Sequence, residues 1–406
     1  MKTVLVVGGG TAGWLAAGYL SSKGLDVTLV ESPQVGIIGV GESTVPAINW
    51  IANEMGLSEE EWMPLANATF KLGIKHENWR PDGVTWWHWF LYDRTRQESQ
   101  MDYVNTHTLP DTDTFEYGYH IDAYKFGETI CKTVALKNNC THIIDHITNV
   151  VSDGENIIQV ETESGANLSA DFYVDCSGFK KILASEIGIT YTQYDELINN
   201  RAVAASVHDL DLNERYTTTK ARTAGWMWQI PLQDRHGCGY VYSDKFLSQE
   251  DAIKEFMQEY PSIKRENVKT LKFTPEVANE SIKGNVAVAG LSGGFIEPLE
   301  ATSVFLTYLQ IRQAWFYING ERSAKVLNKN IVNVFNETKN FVLAHYTLSG
   351  KTDTPYWQYY KNLEEQINTK DMVLMQANKP DYGKWRPGVL FQEYSWWSMA
   401  HYFNLL

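Results

Sequence analysis

An apolar run rich in β-branched residues, Thr3 to Val7, leads directly into Gly8-Gly9-Gly10-Thr11-Ala12-Gly13. Ala12 to Leu20 then place apolar residues at helical spacing, and a second strand-like run follows from Asp26 to Val30. Strand, tight turn, helix and strand in this order form a β-α-β unit, and the glycines satisfy G-x-G-x-x-G in the context that gives the motif meaning. Gly8 makes the turn, Gly10 lets the backbone approach a pyrophosphate, and Gly13 lets the helix pack closely. The helix N-terminus, carrying Thr11 and Ala12, faces the anion. Glu31 closes the second strand, where an acidic side chain can bond a ribose hydroxyl. Together these features point to a bound dinucleotide, without deciding between NAD and FAD.

The rest of the chain sets the organisation. Residues 155 to 175 read as strands. Residues 201 to 245 alternate apolar and polar residues through RAVAASV, GWMWQIPL and GYVYS, as antiparallel strands covering a pocket do. Asn285 to Gly290 reads as another buried strand, Glu300 to Phe316 as a mostly apolar helix, and the C-terminal stretch as polar and aromatic with helical segments. Repeats, low-complexity tracts and Pro/Gly-rich linkers are not seen, so the domains are interleaved rather than strung in series. The expected fold is α/β: a dinucleotide-binding domain from 1–80, 110–185 and 280–345, and a substrate region from 81–109, 186–279 and 346–406. The substrate region is an antiparallel sheet with a helical C-terminal part.

Composition removes several function classes. Thirty-five basic against 49 acidic residues give a net charge of -14, which disfavours a nucleic acid partner because affinity there comes from cations neutralising phosphates. Cys131, Cys140, Cys176 and Cys238 fall in no ligand spacing, so neither disulfides nor a metal is expected. Apolar runs stay below membrane-spanning length and no leader pattern precedes Thr3, so a cytoplasmic protein is expected, with a homo-oligomer left open. The 14 Trp and 22 Tyr cluster partly in Trp86 to Phe90, Trp226 to Trp228 and Ser395 to Trp397. Core packing and an aromatic-lined pocket for a flat ligand both account for that.

The segment NVAVAGLSGGFIEPLEATSVF favours FAD. It has the form of a late strand, ending near Gly290, followed by a helix whose N-terminus meets the flavin and can hold an anion there. At this point the chain resembles the flavin-dependent tryptophan halogenases over nearly its whole length. The matching blocks are GGGTAGW (Gly8 to Trp14), GVGESTVP (Gly39 to Pro46), FKLGIKHENWR (Phe70 to Arg80), DCSG (Asp175 to Gly178), GWMWQIP (Gly225 to Pro231) and FIEPLEAT (Phe295 to Thr302). The W-x-W-x-I-P segment is the family's hallmark.

The resemblance implies that reduced FAD, supplied by a separate flavin reductase because no second nucleotide site is evident, reacts with oxygen and a halide to make hypohalous acid. A tunnel leads this oxidant to a lysine, which the match places at Lys71, for electrophilic halogenation of an aromatic carbon. Lys75 ranks below it and would be its neighbour if the segment were helical. Glu300 matches the second catalytic residue, which holds the lysine or takes the ring proton. The structural alternative is that Glu300 caps its helix, and Glu297 is the structural member of the pair.

The halide is expected at the backbone N–H groups of Thr302 and Ser303, where relatives commonly read E-S-T-G and this chain reads Glu300-Ala301-Thr302-Ser303. His88 and Phe90 match the family's indole-sandwiching pair, and Trp397 the opposing aromatic face. His120 and Asp122 match a family segment and are assigned to the fold and the FAD surroundings. The chain stops at Leu406, and no residues that clamp an amino acid's amine and carboxylate are matched. An indole, a phenol or another electron-rich arene is therefore favoured over free tryptophan as substrate. The rivals are an FAD-dependent aromatic hydroxylase and a redox-inactive FAD-binding protein.

Overall fold

The computed structural model describes residues 1–34, 41–90, 116–378 and 390–406. Gly39 and Val40 of the GVGESTVP block, and most of the expected substrate segment 81–109, lie outside them.

A six-stranded sheet runs in the order Ile282–Lys283, Val286–Val288, Phe172–Asp175, Thr3–Val7, Asp26–Glu31, Thr141–Ile144. Its neighbours are parallel except for the first pair, which is antiparallel. Thr3–Val7 is buried along almost its whole length, as a central parallel strand covered on both faces must be. The chain passes from this strand to one side first, at Asp26–Glu31, and reaches the other side only at Phe172–Asp175. The strand order therefore reverses at Gly8, and the crevice at such a reversal is where dinucleotides bind.

Asp175 fastens the closing turn. Its Oδ1 accepts from the backbone N–H and hydroxyl of Ser177 and from the hydroxyl of Ser292, and its Oδ2 from the N–H groups of Leu183 and Ala184. Five donors on one buried carboxylate tie DCSG to the GLSGG turn, a structural role for both motifs.

A seven-stranded sheet forms the second half, in the order Lys269–Lys272, Arg201–Val207, His236–Tyr242, Gly225–Pro231, Thr217–Arg222, Gly73–Glu77, Trp86–Trp89. The four strands between 201 and 242 are antiparallel, as the alternation predicts. Trp226 and Trp228 are buried, and the Trp228 ring fills the space over Gly239 that a side chain there would need. The hallmark tryptophans thus pack the core.

Between the two large sheets a three-stranded sheet pairs Glu42–Ser43, Gly118–Ile121 and Thr69–Lys71. Lys71 ends a strand of this sheet, Leu72 makes the crossing, and Gly73 opens a strand of the seven-stranded sheet. The segment is therefore formed of strands, so Lys75 is not a helical neighbour of Lys71. Ile74 and His76 point into the core, while Lys75 faces outward and pairs with Glu77 at 2.6 Å. His120 and Asp122 serve the fold. His120 lies 3.2 Å from Thr69 Oγ1 and 3.0 Å from Thr217 Oγ1, and Asp122 caps the helix Ala123–Ile130 and pairs with Arg235.

The late helix also differs from expectation. It spans Ser303–Ile318, while Glu300 belongs to a separate short turn, Pro298–Glu300. Ala301, left-handed at φ 58°, breaks the two apart. Glu300 is thus not a first-turn acid capping that helix.

Candidate active site

The glycine loop fits an FAD pyrophosphate. Gly8 has φ +113°, and a side chain there would strike the Cys176 carbonyl; one at Gly13 would lie 1.8 Å from the Gly8 carbonyl oxygen. Gly10 differs, because a Cβ built there meets nothing within 4 Å. Its missing side chain leaves an open cradle at the N-terminus of the helix Thr11–Ser22, whose first N–H groups are free for an anion. The Thr11 hydroxyl donates to the Ala123 carbonyl, which fixes the start of this helix, and Glu31 Oε1 lies 2.9 Å from His142 Nε2 at the end of its strand. Gly290, at φ +65°, approaches Ala12 so closely that a Cβ would sit 2.6 Å from the alanine methyl. The late turn is thereby pressed onto the glycine loop.

Beyond Gly290 the chain reaches Thr302, which precedes the late helix without a side-chain cap. The N–H groups of the first turn have no intrahelical partners. The Thr302 hydroxyl is buried and makes no hydrogen bond. An anion at this terminus has donors aimed at it.

Lys71 is fully buried. Its Nζ donates to the Thr44 carbonyl at 3.0 Å and sits 4.8 Å from the centre of the Phe90 ring. Burial, offset only in part by the charge of Glu300, pushes its pKa down to about 7. A buried amine of this kind exists as both ammonium and free amine near neutrality.

Glu300 is 1% exposed, and three histidines surround its carboxylate. His88 Nδ1 lies 2.8 Å from Oε2, while His345 Nε2 and His76 Nε2 lie 2.8 Å and 3.4 Å from Oε1. Burial alone would raise the Glu300 pKa. The field of His88 and the contacts with His345 and His76 outweigh burial and hold it well below the usual carboxylate range. Burial drives His76 the other way, down to about 3.

Glu297, three residues earlier, is buried too, but it accepts from Asn199 at 2.7 Å and from the Tyr346 hydroxyl. Burial lifts it to about 7 despite these donors. The two glutamates of Glu297-Pro298-Leu299-Glu300 are thus driven apart in acidity, the pattern by which environments assign carboxylates different roles.

The structure brings Lys71 to Phe90 and Glu300 to His88. His88 lies between Trp86 and Phe341, with ring centroids 5.4 Å away on each side. Trp397 is placed otherwise: it packs against the cluster of Leu72, Trp89, Tyr216 and Tyr394 and against the large core, with His401 as its nearest ring. His76 and His345 are additions to the sequence reading. Alternation from Ile74 was the available signal for a buried His76; His345 sits in the long helix Ala324–Thr347, away from any block that drew attention.

His76, His88 and Glu300 also bring donor atoms within 4.8 Å of one another. The 2.8 Å bond between His88 and Glu300 accounts for the closest pair without an ion. A polar groove of about 560 Å³ near Arg80, Arg222 and Lys351 shares no residue with the cluster.

The tryptophan halogenase family model matches residues 3–103 and 93–405. The chain belongs to the tryptophan halogenase family. The tryptophan 7-halogenase RebH of Lentzea aerocolonigenes is 30% identical, over 99% of this chain and 88% of that protein. The tryptophan 7-halogenase KtzQ of a Kutzneria species is 31% identical, over 89% of this chain and 79% of that protein. Among solved structures, the tryptophan 6-halogenase SttH of Streptomyces toxytricini superposes with TM-score 0.86 at 27% identity, covering 98% of this chain and 89% of that one. The flavin-dependent halogenase Xcc4156 of Xanthomonas campestris gives 0.87 at 25% identity, covering 100% and 89%. The protein is accordingly a flavin-dependent halogenase that uses FAD and halide for electrophilic halogenation of an aromatic substrate. Among the described residues no helix is long and apolar enough to cross a membrane.

Proposed function

We propose that this halogenase takes reduced FAD from a separate flavin reductase and halogenates an indole- or phenol-like arene through Lys71 and Glu300. Gly8, Gly10, Thr11, Ala12, Gly13, Glu31 and Gly290 would hold the dinucleotide. Bound FAD supplies the oxidising equivalents, from oxygen, that turn halide into hypohalous acid. The halide waits at the N–H groups of Thr302 and Ser303, and the bulk at Ser303 tunes which halide fits.

The buried Lys71 amine, brought near neutrality beside an ionised Glu300, carries this reading. The free amine takes the halogen from hypohalous acid with release of water, leaving an N-halo lysine. The arene carbon then takes the halogen. The ring proton leaves to the Glu300 carboxylate and ends on the lysine nitrogen, restoring the amine. Phe90, beside the Lys71 amine, and His88, fixed by Glu300, would orient a flat substrate.

The test combines purified protein with FAD, a flavin reductase, NADH, a panel of indoles and phenols including free tryptophan, and chloride, bromide or iodide. Mass spectrometry should show halide-dependent mass gains that vanish in Lys71→Ala. Oxygen insertion without any halogenated product would replace this reading with a hydroxylase.

A further inference from the structure

The three histidines around Glu300 differ in the protons their partners demand. His76 Nδ1 faces Thr219 Oγ1 at 2.8 Å, and that oxygen already accepts from the Trp79 indole at 3.2 Å. The Thr219 proton is therefore free to go to Nδ1, and His76 Nε2, 3.4 Å from Glu300 Oε1 and out of line for a hydrogen bond, needs no more than a single ring proton. His88 differs too: its Nε2 lies 3.0 Å from Ser395 Oγ, a group that can both accept and donate, so its contacts with Glu300 and Ser395 do not demand two ring protons.

His345 cannot be satisfied that way. Its Nδ1 lies 2.9 Å from the Phe341 carbonyl, which only accepts, so that nitrogen carries a proton. Its Nε2 lies 2.8 Å from Glu300 Oε1, which also only accepts. A bare Nε2 would set lone pair against lone pair. The approach lies off the direction of an aligned hydrogen bond, since neither atom has a hydrogen-bond partner, so a neutral N–H dipole gains little there. A full positive charge makes the contact attractive whatever its direction.

We infer that His345 is a positioning residue that stays an imidazolium and serves as the fixed counter-cation of Glu300. The charged and titratable groups around the pair are His76, His88 and Lys71 near Glu300, and Glu297 near His345. His345 and Tyr346 are adjacent on one helix and reach Glu300 and Glu297 respectively, so one turn fixes the charge of the first carboxylate and shields the second. The consequence for the reaction is that Glu300 enters each cycle ionised, with a partner other than Lys71. This frees the lysine to be a neutral amine.

The inference rests on the reading of Lys71 and Glu300 above, and its tests separate from it. First, ¹⁵N-histidine NMR of the wild-type protein needs no substrate or turnover. Both His345 ring nitrogens should show protonated, imidazolium-type shifts at neutral pH, assigned through ring-proton connectivities and by their loss in His345→Gln. One unprotonated nitrogen overturns the inference even if halogenation is found. Second, His345→Gln keeps a donor near Glu300 but loses the charge. The acid limb of its kcat/KM profile should move up by about one pH unit or more, with KM little changed and activity recovering at higher pH. A uniform fall in activity with the limb unmoved would leave His345 a merely structural residue and overturn the inference. Should His345→Gln not fold, the wild-type spectrum alone decides.

Discussion

Lys71 carries a charge that the protein makes negotiable. Because burial brings it to about 7, its free-amine fraction rises through neutrality. If the amine takes up the halogen, kcat/KM measured between pH 6 and 8 should rise with an apparent value near 7, and Lys71→Arg, charged at every pH, should lose activity by about a hundredfold or more. A rate that falls over that range, with activity kept in Lys71→Arg, would mean that an ammonium only hydrogen-bonds the oxidant. Gly10 offers a second single-residue test. The space where its Cβ would go is empty, so Gly10→Ala should fold with an unchanged melting temperature and lose at least about tenfold in FAD affinity by fluorescence titration. A variant that binds FAD normally would move the pyrophosphate away from this loop. At this scale the sequence singled out the positions that a motif names, and the structure buries two of them, Lys71 and Glu300, and gives Gly8 the positive φ of a tight turn. The sequence was not legible at His76 and His345, whose place comes from three stretches, the hairpin 73–89, the turn 298–300 and the helix 324–347, meeting at one carboxylate.

At the scale of elements, the turn between Glu300 and the late helix decides where the N–H groups of Thr302 and Ser303 point. Ala301 holds a left-handed conformation that costs a residue with a Cβ about 1 kcal/mol. Ala301→Gly should raise stability in chemical denaturation by about that amount and, by loosening the turn, lower the halogenation rate. Unchanged activity in a stabilised variant would show that the strain has no part in holding the halide end. Strands were read well from alternation, because alternation reports burial of one face. The break at Ala301 escaped the sequence reading, because Glu300 to Phe316 is apolar enough to be one helix and nothing in the composition marks a left-handed alanine. Whether Lys71 and Lys75 share a helix was not legible: spacing of four suits one, whereas the segment is two strands of different sheets joined at Leu72.

For the molecule as a whole, Glu297 links local chemistry to global stability. Its folded pKa, about 7, lies above the ordinary value of 4.5, so the folded state holds this proton more tightly than the unfolded chain does. The associated stability is complete below pH 4.5 and is lost as pH rises toward 7. Glu297→Gln should flatten the pH dependence of the denaturation midpoint in that window; an unaltered slope would mean that other groups govern it. The two large sheets draw strands from alternating stretches of the chain, as 73–77 and 201–272 belong to one and 141–175 and 282–288 to the other. Their meeting place was not legible, because nothing in a linear pattern tells which residue changes sheets.

That meeting place bears on how such enzymes can be recombined. Lys71, Leu72 and His76 lie in one short stretch, with the amine on one sheet and the histidine that touches Glu300 on the next. A chimaera spliced at Leu72 would join one parent's buried lysine to the other parent's His76 at the Glu300 carboxylate, with no slack to re-register them. Crossovers placed outside residues 69–89 keep Lys71 with both His76 and His88, the two histidines that reach Glu300 from paired strands.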